Sequence, residues 1–184
     1  VLVVVTGVPG VGKSTVMDSV AKTRGFKVAN FGTEMFRVAQ AKGLVKDRDE
    51  MRKLSPQVQR EIQVGAARAV SAMGDVFVDT HSTVKTPSGY LPGLPKWVLD
   101  ELKPSILVLV EASDEEIHGR RAGDPTRTRD PDPVDSIHEH QMMNRSAAMA
   151  YASLTGATVK IVWNHDKAVE AAVEDLARAV DGYR

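Results

Sequence analysis

Five short apolar runs, at residues 1–5, 27–31, 75–79, 105–110 and 158–162, constrain the fold of this 184-residue chain more than any other feature. They are rich in Val and Ile, mostly continuous rather than alternating, and too short to be core helices. Continuous runs suit strands buried on both faces, as in a parallel sheet covered by helices. The stretches between them carry helix signals with readable ends. Residues 13–24 form one helix, stopped by Gly25. A second starts near Thr33 and ends before Gly43. Ser55 and Pro56 read as an N-cap and a first-turn proline for a helix through Met73. Asp114 opens a helix through Arg121, and residues 167–180 are helical in pattern. Ser136 with Glu139 reads as a capping box for a helix towards Leu154.

Strands alternating with helices predict a doubly wound α/β sheet in a single domain. Two helices fall between the second and third runs, so residues 33–73 are expected to form a helical insertion. Residues 123–134, GDPTRTRDPDPV, carry three prolines and read as a short polar loop. Composition is that of an ordinary globular chain, 42% hydrophobic and 26% charged. Lys and Arg total 24 against 24 Asp and Glu, which argues against a protein held to nucleic acid by bulk positive charge. Cysteine is absent, excluding a disulfide framework, a thiolate zinc site and a cysteine nucleophile. No run approaches the ~18 apolar residues of a membrane span, and residues 1–5 are too short for a signal sequence. A cytoplasmic protein is the expectation.

The most specific motif is Gly7-Val8-Pro9-Gly10-Val11-Gly12-Lys13-Ser14, a complete G-x-x-x-x-G-K-[ST] match between the first strand and the first helix. Glycines let backbone N–H groups curl around phosphate oxygens, and the helix N-terminus adds partial positive charge. Lys13 reaches the terminal phosphates of a nucleoside triphosphate such as ATP, while Ser14 offers a hydroxyl to Mg2+. Thr15 completes the segment. Asp79 ends the third apolar run, where ligands gather at the carboxyl ends of parallel strands, and is a second Mg2+ ligand. The fold class is therefore that of P-loop NTPases.

The cradle alone does not name a reaction. A GTPase expects N-K-x-D and D-x-x-G, but this chain has Asn164-His165-Asp166 and Asp79-Thr80-His81-Ser82. A small-molecule kinase expects a second anion pocket and lid arginines. Arg37 lies one turn into the helix after the second strand, and Arg120, Arg121, Arg127 and Arg129 cluster in or before the 123–134 loop. Such guanidinium groups neutralise charge on a transferring phosphoryl group. A P-loop ATPase or nucleotide-dependent binding module, its arginine loop touching a partner, stays open on these residues alone. His138 and His140, two apart, point to different sides of a helix and make no zinc pair. Met142, Met143, Met149, Trp97 and Trp163 read as packing residues, and residues 47–50 as a solvated acidic corner.

The blocks GVPGVGKST (7–15), NFGTEMFR (30–37), VDTHSTVKTPSGYLPGLP (78–95), RRAGDPTRTRD (120–130) and NRSAAMAYASLTGATVKI (144–161) together resemble the archaeal-type adenylate kinases across the whole chain. The resemblance implies reversible phosphoryl transfer, ATP and AMP to two ADP, with Mg2+. It also implies a five-stranded parallel core with a helical insertion for the monophosphate, a short lid and a homotrimer. By motif, Lys13 contacts the transferring phosphoryl group and Ser14 the metal. Gly32, Thr33 and Arg37 belong to the AMP segment, Arg120 lies near ATP, and Arg127 and Arg129 close over the phosphates. After Asp79 the chain reads THSTVKT instead of the common G-F-P-R-T, so an AMP-phosphate arginine is missing; His81 and Lys85 are the substitutes at hand.

Overall fold

The computed structural model describes residues 1–126 and 132–183. In chain order the elements are β1 (Leu2–Thr6), α1 (Lys13–Arg24), β2 (Lys27–Asn30), α2 (Phe31–Ala41), a 3-10 turn (Asp49–Lys53), α3 (Pro56–Ser71) and β3 (Val76–Asp79). There follow β4 (Thr83–Thr86), β5 (Gly89–Pro92), α4 (Lys96–Leu102), β6 (Ile106–Glu111), α5 (Asp114–Ala122), α6 (Val134–Thr155), β7 (Thr158–Trp163) and α7 (Val169–Asp181). The five apolar runs become one parallel sheet of order β2-β3-β1-β6-β7, flanked by helices.

Strand periodicity divides the core into two faces. Val3, Val5, Phe77, Val108 and Val110 pack with Val16, Val20, Leu176 and Val180 from α1 and α7. Leu2, Val4, Val76, Val78 and Leu107 pack with Ala66, Val70, Val98 and Leu99 from α3 and α4. Burial on both faces holds for β1, β3 and β6 but not for β2 and β7, which are the sheet edges and keep Val28 and Trp163 about 44% exposed. A smaller cluster, Ala39, Val45 and Ile62 with Phe36, Met51 and Leu54, joins α2 to α3 across the 3-10 turn.

Local chemistry moves several expected boundaries. Helix α2 begins at Phe31 rather than near Thr33, because the Asn30 side chain accepts from the Thr33 N–H and caps the helix directly off β2. Helix α3 stops at Ser71, and Gly74 turns the chain with φ 85°. Ser136 does not cap α6. Its N–H already bonds Pro133 inside the first turn, its hydroxyl takes a bond from Lys85, and Glu139 receives the Tyr90 hydroxyl. The capping box of this structure is instead Ser113 with Glu116, opening α5. The β4–β5 hairpin and α4 were not legible as elements, although Pro87-Ser88-Gly89 between Thr/Val and Tyr/Leu pairs is a usable turn signal.

Candidate active site

Strand β1 delivers the chain into residues 7–15 at the carboxyl edge of the sheet. Its chain successor β2 lies on one side of it, beyond β3, and β6 lies on the other. That reversal of direction is the place where open α/β sheets leave a crevice. Gly12 is the N-cap of α1 with φ 81°, contributes no side chain to the cap, and is followed by no acidic residue in the first turn. The first N–H groups of α1 are thus available to an anion, whereas those of α5 are covered by Ser113 and three carboxylates. A Cβ on Gly12 would stand 2.5 Å from Asn164 Nδ2, so the position requires glycine for both conformation and room. All of residues 7–15 line one cavity of about 290 Å3 together with Asp79 and His81. The sequence-predicted cradle, carboxylate and histidine therefore converge.

Lys13 forms an ion pair with Asp79 Oδ1 and also donates to the Thr80 carbonyl at 3.2 Å. The other carboxylate oxygen, Asp79 Oδ2, accepts from Asn30 Nδ2 at 3.1 Å. Burial pushes the His81 imidazole below its ordinary pKa, Lys13 pushes it the same way, and Asp79 opposes them. Ser14 and Asp79 supply oxygen donors only, the hard ligand type that suits Mg2+ shared with substrate phosphates.

The lip of the cradle is braced from distant parts of the chain. The Val11 carbonyl accepts from Asn164 Nδ2 at 2.9 Å and from Arg120 Nη1 at 3.2 Å. Arg120 also reaches the Asn164 carbonyl and Asp166, at 2.8 Å each. It does not pair with Glu116, four residues earlier, whose carboxylate takes the Ser113 and Asp166 N–H groups and faces His165. Arg121 is buried; its Nε donates to the Pro9 carbonyl at 2.6 Å and its Nη1 to Asp132 at 2.8 Å.

The residues read as the AMP segment sit on α2, outside the lining of the 290 Å3 cavity. Thr33 Oγ1 donates to Asn30 Oδ1 and accepts from Arg48 Nη2 at 2.5 Å. Arg37 pairs with buried Glu34 at 2.6 Å and leaves 66% of its side chain exposed; Gly32 lies beside the Asn30 amide. A second cavity of about 250 Å3 shares Pro9 and His81 with the first and adds Lys85, Arg121 and His140. Arg127 and Arg129 lie outside the described residues. Asn30, Arg48 and Asn164 are the site neighbours that sequence reasoning did not select, while Arg121, read as a lid arginine, braces the cradle at Pro9 instead. Asn at a strand-to-helix junction was a legible cap signal, while Asn164 owes its place to tertiary structure alone.

A larger cavity of about 740 Å3, lined by residues of α6 and of the segments after β6 and β7, contains none of the motif. Its basic groups are already matched, Arg145 with Glu111, His138 with Asp114 and His165 with Glu116. Size alone does not make it the reaction site. Trp163 lines it and is not a core residue: it stacks on His165 with a 3° interplanar angle at 5.4 Å. Met143 and Met149, expected to pack, are exposed.

Known proteins resemble this chain in sequence and in fold. Residues 6–138 match the family model described as AAA domain. The adenylate kinase of Thermoplasma acidophilum is 51% identical over 177 residues, covering 96% of this chain and 97% of that protein. The adenylate kinase of Methanococcus vannielii is 54% identical and that of Methanothermobacter thermautotrophicus 50%, each over at least 95% of both chains. Among solved structures, shikimate kinase from Bacteroides thetaiotaomicron superposes with a TM-score of 0.59 at 11% identity over 98% of both chains. The Aquifex aeolicus shikimate kinase gives 0.56 at 16% identity over 100% of this chain and 98% of that one. At those identities the likeness concerns the fold.

Proposed function

The chain belongs to the adenylate kinase family, and on that premise we propose that residues 7–15 hold the phosphates of ATP while α2 and its neighbours present AMP. It transfers the γ-phosphoryl group of ATP reversibly to AMP, giving two ADP. The observation that carries the assignment of residues is the shared cavity, in which Lys13, Ser14, Asp79 and His81 meet the cradle beside the Asn30–Thr33 segment.

Phosphoryl transfer asks the protein for position and charge more than for covalent chemistry. Backbone N–H groups of the cradle and α1 receive the donor phosphates, and Lys13 neutralises charge on the transferring group. An AMP phosphate oxygen forms the new bond to the γ-phosphorus as the bond to the β,γ-bridging oxygen breaks. That nucleophile is already anionic near neutral pH, so no general base is assigned. Ser14 and Asp79 would hold Mg2+, which supplies Lewis-acid neutralisation of the phosphates when bound. Arg127 and Arg129 complete the charge screen from the lid, and Arg120 fixes the cradle lip near the donor. Assembly as a homotrimer follows the same family reading; a solution mass three times the 20.0 kDa of the chain checks it. Among the described residues no helix is long and apolar enough to cross a membrane.

An acceptor panel of AMP, GMP, CMP and UMP with ATP and Mg2+ tests the reaction. Two ADP formed per ATP with AMP is the expected outcome. Phosphate release from ATP that ignores every monophosphate would contradict it.

A further inference from the structure

The contacts of Asn30 join two halves of the site that the sequence motifs describe separately. Asn30 and Asp79 are partners in the parallel register of β2 and β3, at the carboxyl ends of both strands. The Asn30 amide spends its oxygen on α2, accepting from the Thr33 N–H at 3.0 Å and the Thr33 hydroxyl at 3.2 Å. It spends its nitrogen on Asp79 Oδ2 at 3.1 Å. The orientation of the amide is fixed by its partners, since a backbone N–H can meet only the oxygen and a carboxylate only the NH2 group. Asp79 in turn pairs with Lys13, and Thr33 Oγ1 accepts from Arg48. A continuous line of polar contacts thus runs Lys13, Asp79, Asn30, Thr33, Arg48, from the phosphate cradle to the turn that leads into α3.

We propose that Asn30 is a positioning residue that fixes the acceptor-side helix α2 to the donor-side carboxylate Asp79, setting the approach of the two nucleotides. The inference rests on the assignment of the cradle to ATP and of α2 to AMP. Donor phosphates compete with Asp79 for Lys13. When Lys13 turns to them, the Asn30 NH2 group is, among the described residues, the remaining side-chain donor on Asp79 and keeps that carboxylate aligned. Because the same amide holds the first turn of α2, a shift of Asp79 is transmitted to Thr33 and to the acceptor. In-line transfer is sensitive to such displacements, with misplacement of about 1 Å able to cost ~100-fold in rate.

Capping chemistry provides the test. Asn, Asp and Ser are nearly equivalent N-caps, so Asn30→Ser and Asn30→Asp both keep the cap of α2. Neither can donate to Asp79 as the amide does. Serine is too short and aspartate adds a second carboxylate beside Oδ2. Asn30→Ser is expected to melt within about 3 °C of the parent, consistent with the small differences among these caps, and Asn30→Asp somewhat lower, because its carboxylate faces that of Asp79. The kcat for ADP formation is expected to fall ~10-fold in Asn30→Ser and ~100-fold in Asn30→Asp. Calorimetric titration of AMP onto each variant carrying the β,γ-imido analogue of ATP gives a second readout. There AMP is expected to bind the parent more tightly with the analogue than without it, and both variants are expected to lose that gain. Parental kcat in both variants overturns the proposal. So does a lowered melting point with unchanged turnover per folded molecule, which would reduce Asn30 to a cap. An AMP affinity in the parent indifferent to the analogue overturns it as well. The underlying assignment fails separately, if Lys13→Ala retains parental turnover.

Discussion

Lys13 and Asp79 hold each other across the mouth of the cradle, with the Thr80 carbonyl as a second acceptor for the lysine. The pair places the lysine of the cradle at the carboxyl edge of β3 before any phosphate competes for it. Lys13→Ala should therefore lose turnover by about 1,000-fold, at the upper end for removing one charge-stabilising donor. The fold should persist, because Asn30 Nδ2 still donates to Asp79 when the lysine is gone. Single-turnover transfer and a thermal melt measure the two halves of this expectation.

His81 reports on the same pair. Its imidazole is pushed down by burial and then by Lys13. In Lys13→Met the second cause disappears, so the His81 pKa should rise, as followed by NMR titration of the ring protons. The linkage has a definite sign. A base whose folded-state pKa lies below its unfolded value near ~6.5 gives stability that is present above that pH and lost as pH falls through it. Replacement of His81 by Gln should flatten the acid-side slope of stability between about pH 7 and 5, measured by urea melts.

Two glycines with left-handed backbone separate conformational strain from crowding. Gly25 has φ 71° and nothing within 4 Å of a built Cβ, whereas Gly12 has φ 81° and Asn164 Nδ2 at 2.5 Å. Gly25→Ala should cost about 1 kcal/mol and keep full turnover. Gly12→Ala should cost about 2–3 kcal/mol and lose turnover as well, because Asn164 must leave the Val11 carbonyl. Denaturant melts paired with kcat for each variant check the contrast.

Glu116 anchors the loop that braces the cradle. Its carboxyl is held down to about 2, chiefly by the Asp166 N–H, with His165 and Ser113 adding to the effect and burial opposing it. A depressed carboxyl contributes stability above its unfolded value near ~4.3 and loses it as pH falls towards the folded value. Glu116→Gln should cost about 1–2 kcal/mol at pH 7, with the gap closing towards pH 2–3. Urea denaturation of both proteins across that range is the measurement.

If residues 123–134 act as the proposed lid, Arg127→Ala and Arg129→Ala should each lower kcat by about 100-fold while the AMP KM stays within about two-fold. An effect confined to the AMP KM would remove these arginines from the transferring phosphate.

Much of the architecture was legible because its signals are local. Five Val-rich runs became five parallel strands, and Gly25 and Pro56 mark helix ends where backbone chemistry demands them. Residues 7–15 were readable for the same reason, since a contiguous loop builds its own cradle. Signals that depend on tertiary partners misled. Ser136 and Glu139 have capping-box spacing, but Lys85 and Tyr90 of the unread hairpin claim their side chains. Trp163 reads as core until β7 is known to be a sheet edge. Asn164 and Arg121, which hold the cradle, are separated from it by more than a hundred residues of chain.

That last arrangement bears on synthesis. Val11 takes its brace from Asn164, 153 positions onward, and from the Arg120 guanidinium that the same late segment orients. A growing polypeptide still lacking β7 and the turn after it carries the whole signature motif with its lip unsupported. The last support of the phosphate loop is thus added only once residues 158–166 have emerged.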